Sequence, residues 1–326
     1  MCTSIFQISI DGSHVLSRTM DWHALVAGPV FVPRGFRWHS SFDGASYVNR
    51  FAIIGTGRQR TAEIDISDGV NECGLSVQKL TFKHGTHLLS EASNAYTCLA
   101  PFELPCYLLA NYRSVAEIED HLPEIRLLSG ENARENYGYP ELHYVVADRS
   151  GRVVIIEPTT QPLQIIDNPL GVVTNAYDFQ KQLSKLKDYL NFTPEFSAGK
   201  QLKNVAKVST GSFAGKKVPS SSYTPSGRFI RAAYYKERAD QPQNERENVS
   251  SSFQLLNSVS VPKSSAYQKT YSVYRAAYCL ESLQYYFEPA ARLGLVRLQL
   301  TSEMLTFKQA HFFSVKNELS AVTLKM

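Results

Sequence analysis

The second residue of the chain is a cysteine, directly behind the initiator methionine in "MCTSIFQISIDG". Methionine aminopeptidase generally removes Met1 when the next residue is small, and Cys2 would then carry a thiol and a free α-amine on one residue. That pair can do amide chemistry unaided. The thiol is a nucleophile, and an α-amine, with a reference pKa of about 7.7–8.0, can take its proton and return it to a leaving nitrogen. The same logic makes removal of Met1 indispensable, because an acylated nitrogen is no base. Taken alone, position 2 still reads better as a chance cysteine in a disordered tail. Two charged residues in "SRTMDW", Arg18 and Asp21, change that reading if the fold brings them beside Cys2. By themselves they equally describe an exposed pair at a strand end.

One hairpin would bring the three together. "SIFQISI" reads as a strand with Ile5 on one face and Phe6, Ile8 and Ile10 on the other. "DGS", Asp11 to Ser13, is a tight-turn signal, and "HVLSRTM" is the returning strand. Further strands are predicted at "PVFVP", "FAIIG" and "GLSVQKLTF", each bounded by Gly, Pro or polar residues. "PFELPCYLLANY" and "SVAEIEDHL" change to helical spacing, the second with Ser114 as N-cap and Glu117 completing a capping box. "ELHYVVADRSGRVVIIEP" is the clearest hairpin, turning over Asp148 to Gly151. Strands at "PLQIID" and "GVVTNA" follow, with helices near 180–190, 227–236 and 252–259. Antiparallel strands over "KTYSVYRAAYCLESLQYYFE" and "GLVRLQLTSE" complete the pattern. Pro194 to Tyr223, rich in Ser, Gly and Lys, reads as a long excursion, and "RADQPQNEREN" as a surface loop. With no internal repeat and no linker, a single α+β domain over 1–326 is expected.

Composition excludes several function classes. The 326 residues, 43% hydrophobic and 11% aromatic, supply a well-buried core and argue against disorder. A formal charge of +4 without a Lys/Arg block gives no footprint for nucleic acid. No apolar run approaches the roughly 18 residues of a membrane span. The N-terminus lacks the basic and apolar regions of a secretory signal, so a cytoplasmic protein is expected. Cys2, Cys73, Cys98, Cys106 and Cys279 are odd in number and without CxxC spacing, which fits reduced thiols rather than disulfides or zinc. His84-Gly85-Thr86-His87 lacks a third ligand at metal spacing. Gly55-Thr56-Gly57 lacks the third glycine of a dinucleotide fingerprint and reads as a turn. There is no G-x-S-x-G elbow and no Walker A sequence.

"MCTS", "SRTMDW", "DGVNECGL", "GVVTNAYDF" and "YTPSGRFIRAAY", in that order, resemble the choloylglycine hydrolase family. That family contains the bile salt hydrolases and penicillin V acylases, N-terminal-nucleophile amidases, and the resemblance covers nearly the whole chain. It implies a four-layer αββα sandwich of antiparallel sheets, usually assembled as a homotetramer, with no metal or organic cofactor. By resemblance, Cys2 is the nucleophile and its amine the base, and Asp21 binds and orients that amine. Arg18 sits beside the thiolate and lowers its pKa. Asn175 offers its side-chain amide to the oxyanion, and Arg228 completes the polar network. A second oxyanion donor is the backbone N–H at Thr81, where bile salt hydrolases typically carry Asn and penicillin V acylases Tyr. The chain matches neither, although "RTMD" is nearer to the acylases. It also departs from the family's glycine-rich run at "STGSFAGKKVPSSSYTP", where Lys216 and Lys217 stand.

The expected substrate is a small linear amide with an apolar or aromatic acyl group. Resemblance places its pocket in loops after Asp21, after Gly57 and around Asn132 to Pro140. Met20, Trp22 and Leu25 supply apolar surface there, or else ordinary core and rim packing. Arg58 and Arg60 would suit a leaving group bearing a carboxylate. Penicillin V, a conjugated bile salt and an N-acyl homoserine lactone all remain open as substrates. Two rivals stand beside this reading. A glutamine amidotransferase can also begin Met-Cys, but typically continues Cys-Gly and carries a partner domain. The second is a non-catalytic relative in which the fold serves binding or assembly, and the presence of all five polar site positions argues against such decay.

Overall fold

The computed structural model describes residues 1–41, 44–59, 64–82, 85–129, 141–176, 178–186, 222–266, 269–290 and 294–316. The Lys216-Lys217 departure, Arg60, His84 and the Asn132–Pro140 loop lie outside the described residues.

The chain opens with the expected hairpin, β1 (Cys2–Ile8) and β2 (His14–Trp22). β3 (Gly28–Val32) follows, then a small hairpin of β4 (Arg37–His39) and β5 (Ser46–Val48). A meander of β6 (Ile53–Gln59), β7 (Ile64–Asn71) and β8 (Ser76–Thr81) comes next. β9 (Thr97–Leu99), α1 (Leu104–Asn111), α2 (Val115–His121) and β10 (Ile125–Leu127) form an outer layer. They lead into β11 (Leu142–Ala147), β12 (Val153–Glu157), β13 (Gln164–Asp167) and β14 (Val172–Val173). Three helices, α3 (Phe179–Leu186), α4 (Pro225–Arg238) and α5 (Glu245–Val259), precede β15 (Tyr271–Cys279), β16 (Gln284–Pro289), β17 (Val296–Gln299) and β18 (His311–Phe312).

The strands assemble into a six-stranded sheet, ordered β14-β1-β2-β15-β16-β17, and an eight-stranded sheet, ordered β13-β12-β11-β8-β7-β6-β3-β18. One apolar cluster fills the space between the sheets and continues beneath α3, α4 and α5. A second joins the outer face of the eight-stranded sheet to α1 and α2. The order of layers is therefore helices, sheet, sheet, helices, the αββα sandwich that the resemblance implies.

Layering explains where simple alternation fails. β1 lies between helices and the second sheet, so both its faces are covered and Cys2 through Gln7 are all buried. Ile5 and Phe6 join the same apolar cluster, while Ile8 and Ile10, expected beside Phe6, are exposed. A strand buried on both faces shows no polar alternation. Gln7 is satisfied by α5, donating to Asn248 Oδ1 at 3.2 Å and Ser252 Oγ at 3.1 Å.

Other expectations are corrected. Gly55-Thr56-Gly57 is strand, not turn, with a bulge against β7 between Thr56 and Gly57. The polar segment ends earlier than expected, because Asn244 caps the Glu247 N–H at 3.1 Å and starts α5 at Glu245. Ser114 does cap α2, but Glu117 reaches back to the Arg113 N–H. In the "DGVNECGL" motif, Asn71 tethers α1 by donating to the Leu109 and Tyr112 carbonyls, and Gly74 takes φ +83, which a side chain would strain.

Candidate active site

The register of the first hairpin sets the site. Cys2 pairs with Met20 and Ser4 with Arg18 across β1 and β2. The Cys2 Sγ lies 3.6 Å from Met20 Sδ and is only 2% exposed as a residue, so this cysteine is no part of a loose tail. Met1 prolongs β1. Its amino group donates to the Asp21 carbonyl at 2.6 Å and its carbonyl accepts from the Asp21 N–H at 2.7 Å. Burial holds that amino group below its ordinary value of 8.0.

Three segments far apart in sequence close on Cys2. Asn175 follows β14 and is anchored through its neighbour Thr174, whose hydroxyl donates to Gln182 Oε1 at 3.0 Å. The Asn175 Oδ1 accepts from the Cys2 N–H and, at 2.7 Å, from Arg228 Nη2. Its Nδ2 donates to the Thr81 carbonyl at 3.0 Å. Arg228 sits in the first turn of α4, where Thr224 caps the Gly227 N–H at 3.2 Å and Pro225 occupies the first helical position. A Cβ at Gly227 would meet Ser222 O at 2.6 Å, so glycine is needed for the entry to α4. Arg228 donates to the Cys2 carbonyl and, at 2.6 Å, to Thr3 Oγ1, and lies 3.5 Å from Asp21 Oδ2. Burial pushes the Arg228 guanidinium down, against the opposing pull of Asp21 and Cys2.

Asp21 is fully buried, and its Oδ1 accepts from Ser272 Oγ at 2.5 Å. Among the described residues its Oδ2 accepts no hydrogen bond, and the Arg228 guanidinium at 3.5 Å is the charge it faces. A buried carboxylate oxygen without a donor is costly, so this atom marks a place where a donor belongs.

Arg18 occupies a break in the eight-stranded sheet. The β7–β8 ladder runs from Val70–Ser76 to Asp68–Gln78 and stops there. Beyond that point Arg18 Nη1 takes the place of ladder bonds, donating to the Lys79 carbonyl at 2.9 Å and the Ser67 carbonyl at 3.4 Å. The same nitrogen is 3.0 Å from Asp68 Oδ2, in an ion pair with both side chains fully buried. Burial alone would lower the Arg18 pKa, but Cys2, Tyr274 and Asp68 more than reverse it, and the guanidinium stays charged. The break also orients Thr81. Phe82 donates to the Glu141 carbonyl, so by the alternation of an antiparallel ladder the Thr81 N–H and carbonyl point away from β11, toward Asn175.

The structure thus brings together Cys2, Arg18, Asp21, Asn175, Arg228 and the backbone of Thr81. Met20 touches the thiol directly, whereas Trp22 and Leu25 are partly buried against the inter-sheet cluster. Arg58 is tied to Asp65, which burial would push up but which Lys79 and Arg58 hold below its ordinary pKa. It is therefore not the spare charge that its loop position suggested. Sequence reasoning missed Asp68, Ser272, Thr3 and the tyrosines that meet Asp68. Asp68 and Thr3 did lie inside motifs, "DGVNECGL" and "MCTS", that were quoted only for their resemblance. Among the described residues no group of three or more His, Cys, Asp or Glu could hold a metal ion, and no helix is long and apolar enough to cross a membrane.

Residues 2–313 match the family of linear amide C–N hydrolases, choloylglycine hydrolase family. The bile salt hydrolase/transferase of Clostridium perfringens (strain 13 / Type A) is 25% identical over 98% of this chain and 98% of its own. That of Lactiplantibacillus plantarum (strain ATCC BAA-793 / NCIMB 8826 / WCFS1) is 28% identical over the same 98% shares. In fold, the chain is similar to a variant of the conjugated bile acid hydrolase from Clostridium perfringens, with a TM-score of 0.86 at 24% identity over 100% of both chains. It is also similar to the penicillin V acylase from Agrobacterium tumefaciens, with a TM-score of 0.73 at 18% identity over 95% of this chain and 90% of the other. A match running from Cys2 almost to the end of the described residues, on a fold shared over the full length, places this chain in the choloylglycine hydrolase family of linear amide C–N hydrolases.

Proposed function

We propose that the mature protein begins at Cys2 and hydrolyses a linear amide whose acyl group is apolar or aromatic, as a conjugated bile salt or penicillin V would present. The observation that carries this reading is that, among the described residues, Asp21 Oδ2 accepts no hydrogen bond and faces only the Arg228 guanidinium at 3.5 Å, in a buried site where the Cys2 nitrogen is already held by Asn175. An acylated Cys2 nitrogen has a single hydrogen, and it goes to Asn175. Removal of Met1 would give that nitrogen the further donors that Asp21 lacks.

The chemistry then follows from the positions. The Cys2 amine takes the thiol proton, and Sγ attacks the substrate carbonyl carbon. The oxyanion is met by the second hydrogen of Asn175 Nδ2 and by the Thr81 N–H, preorganised donors of the kind that stabilise developing charge most. The C–N bond breaks as the amine returns its proton to the leaving nitrogen. Water then cleaves the thioester, and the acid leaves. Asp21 orients the amine, Arg18 faces the sulfur, and Arg228 fixes the Cys2 carbonyl and Asn175. Met20, Trp22 and Leu25 form apolar surface for the acyl group. The names of the curated relatives include transferase, and a thioester that a second amine intercepts in place of water fits the same site.

The five free thiols support a reducing, cytoplasmic setting, and the family resemblance supports a homotetramer built from a single domain over 1–326. Intact mass of the purified protein should show Cys2 as the first residue. A non-removable N-terminal extension should leave the fold and abolish turnover of phenoxymethylpenicillin, glycine- and taurine-conjugated bile acids and N-acyl homoserine lactones alike. Turnover by the extended protein would remove the terminal amine from the mechanism. Light scattering would test the tetramer.

A further inference from the structure

The aspartate of "DGVNECGL" has no part in the steps above, yet it is one of the most heavily bonded groups in the interior. Asp68 is fully buried. Its Oδ2 accepts from Arg18 Nη1 at 3.0 Å and from the Tyr274 hydroxyl at 2.5 Å, and its Oδ1 accepts from the Tyr278 hydroxyl. Tyr278 in turn stacks on Tyr285, with centroids 4.9 Å apart, and Thr56 Oγ1 lies 2.7 Å from the Tyr285 hydroxyl. Burial, reinforced by the charge of Asp68, raises the pKa of Tyr274 and Tyr278 well above 10. Both phenols are therefore permanent donors to this carboxylate.

Arg18 stands between that cluster and the nucleophile. Its Nη1 faces Asp68, while its Nη2 lies 3.5 Å from Met20 Sδ, the atom in contact with Cys2 Sγ. One positive charge thus lies between a carboxylate on one side and, across Met20 Sδ, the Cys2 thiol on the other. The balance is adjustable, since each hydroxyl on Asp68 disperses part of its negative charge. We propose that Asp68, with the hydroxyls of Tyr274 and Tyr278, is a positioning and charge-setting unit that divides Arg18 between itself and the Cys2 thiolate, and so sets how basic the nucleophile is. The proposal rests on the reading that Cys2 is the nucleophile.

Other charges act on the same sulfur. They are the terminal amine on β1, Asp21 on β2 and Arg228 on α4, while the Lys79 ammonium on β8 is taken up by Asp65. None of these touches Asp68 directly, so changes at Asp68 and its two phenols report on the Arg18 side alone.

The test is the pH profile of Cys2 alkylation by iodoacetamide in processed protein, followed by intact mass. Asp68→Asn keeps the shape but removes the negative charge, leaving Arg18 to the sulfur. Its alkylation midpoint should move down by about one pH unit. Its plateau rate should fall by about threefold, because a less basic thiolate is a weaker nucleophile. Tyr274→Phe and Tyr278→Phe concentrate charge on Asp68 and should move the midpoint up, by about half a unit each. Opposite signs from neighbouring substitutions are not a signature of loosened packing. Should Asp68→Asn fail to fold, the two phenylalanine variants still decide the sign. Midpoints that stay at the wild-type value in folded variants, or that all move in one direction, would overturn the proposal. Absence of selective Cys2 labelling in active wild-type protein would instead overturn the reading of Cys2 as nucleophile.

Discussion

The β1–β2 hairpin and the β11–β12 hairpin close their turns with the same device. Asp11 Oδ1 accepts from the Ser13 N–H at 3.0 Å and Gly12 takes φ +84; Asp148 Oδ1 accepts from the Ser150 N–H at 2.9 Å and Gly151 takes φ +82. Their interiors differ. β11 and β12 bury mostly apolar side chains, Val145, Ala147, Val153 and Ile155 toward the inner core and Val146, Val154 and Ile156 toward the outer one, with a single polar pair, His143 Nδ1 3.6 Å from Glu157 Oε1. β1 and β2 bury Thr3, Ser4, Ser17, Arg18, Thr19 and Asp21, and the charged members find partners on β7, β15 and α4. A hairpin whose interior is mostly apolar is specified largely by its own sequence. A hairpin that buries charge is stable only when the rest of the fold brings counter-groups to it, since an unpaired buried charge is strongly destabilising. The difference separates groups that hold the protein together from groups that the proposed chemistry requires.

Substitutions that exchange the two roles would break the contrast. Asp21→Asn in the first hairpin should lower kcat by about 10^3-fold, in the range of a lost general acid–base function. The protein should remain folded at reduced stability, because Ser272 can still bond the amide oxygen and Arg228 keeps its bonds to the Cys2 carbonyl, Thr3 and Asn175. Steady-state kinetics beside a circular dichroism melt would check both halves. Ile156 in the second hairpin faces the outer core, away from Cys2. Ile156→Ala should cost about 3 kcal/mol of stability. Urea titration would show the loss, while kcat per folded molecule stays at the wild-type value. A kcat that falls with Ile156→Ala would mean that the outer core transmits strain to the site. Asp148→Ala sharpens the contrast at smaller scale. It removes the turn bonds and the acceptor for the Val115 N–H at 2.7 Å, where α2 begins, and should cost about 2 kcal/mol with turnover unchanged.

How much of this was visible beforehand follows the same division. The Cys2–Arg18–Asp21 grouping was legible because one turn signal, Asp11 to Ser13, fixes which residues face each other; Cys2 opposite Met20 is the register that turn dictates. The second hairpin was legible from its own β-branched residues. Asp68 was not, because its partners Arg18, Tyr274 and Tyr278 lie on strands 50 or more residues away, and local spacing carries no information across that distance. Misreading Gly55-Thr56-Gly57 as a turn has a similar cause. Glycine in an isolated sequence signals a bend, whereas here Gly55 pairs with Gly69 and a Cβ on it would meet the Asp68 carbonyl at 2.2 Å. The two-faced reading of β1 failed because α5 covers one face and the second sheet the other, which buries both.

The smallest test compares the two turns themselves. Hydrogen bonds from Ser13 first, and then from Ser9, hold Asp11 at about 2, below the ordinary 3.8. A carboxyl whose folded pKa is depressed adds stability that is fully present above its unfolded value and disappears as pH falls through its folded value. Asp11→Asn should therefore lower the urea midpoint by a fixed small amount at every pH above about 4. Its difference from wild type should shrink between about pH 4 and pH 2 and vanish below that, because protonated Asp11 then resembles the amide. Turnover at neutral pH should be retained, since the turn lies at the far end of β1 from Cys2. If the gap persists undiminished at pH 2, the Asp11 charge is not what closes the site hairpin, and the likeness between the two turns is one of shape alone.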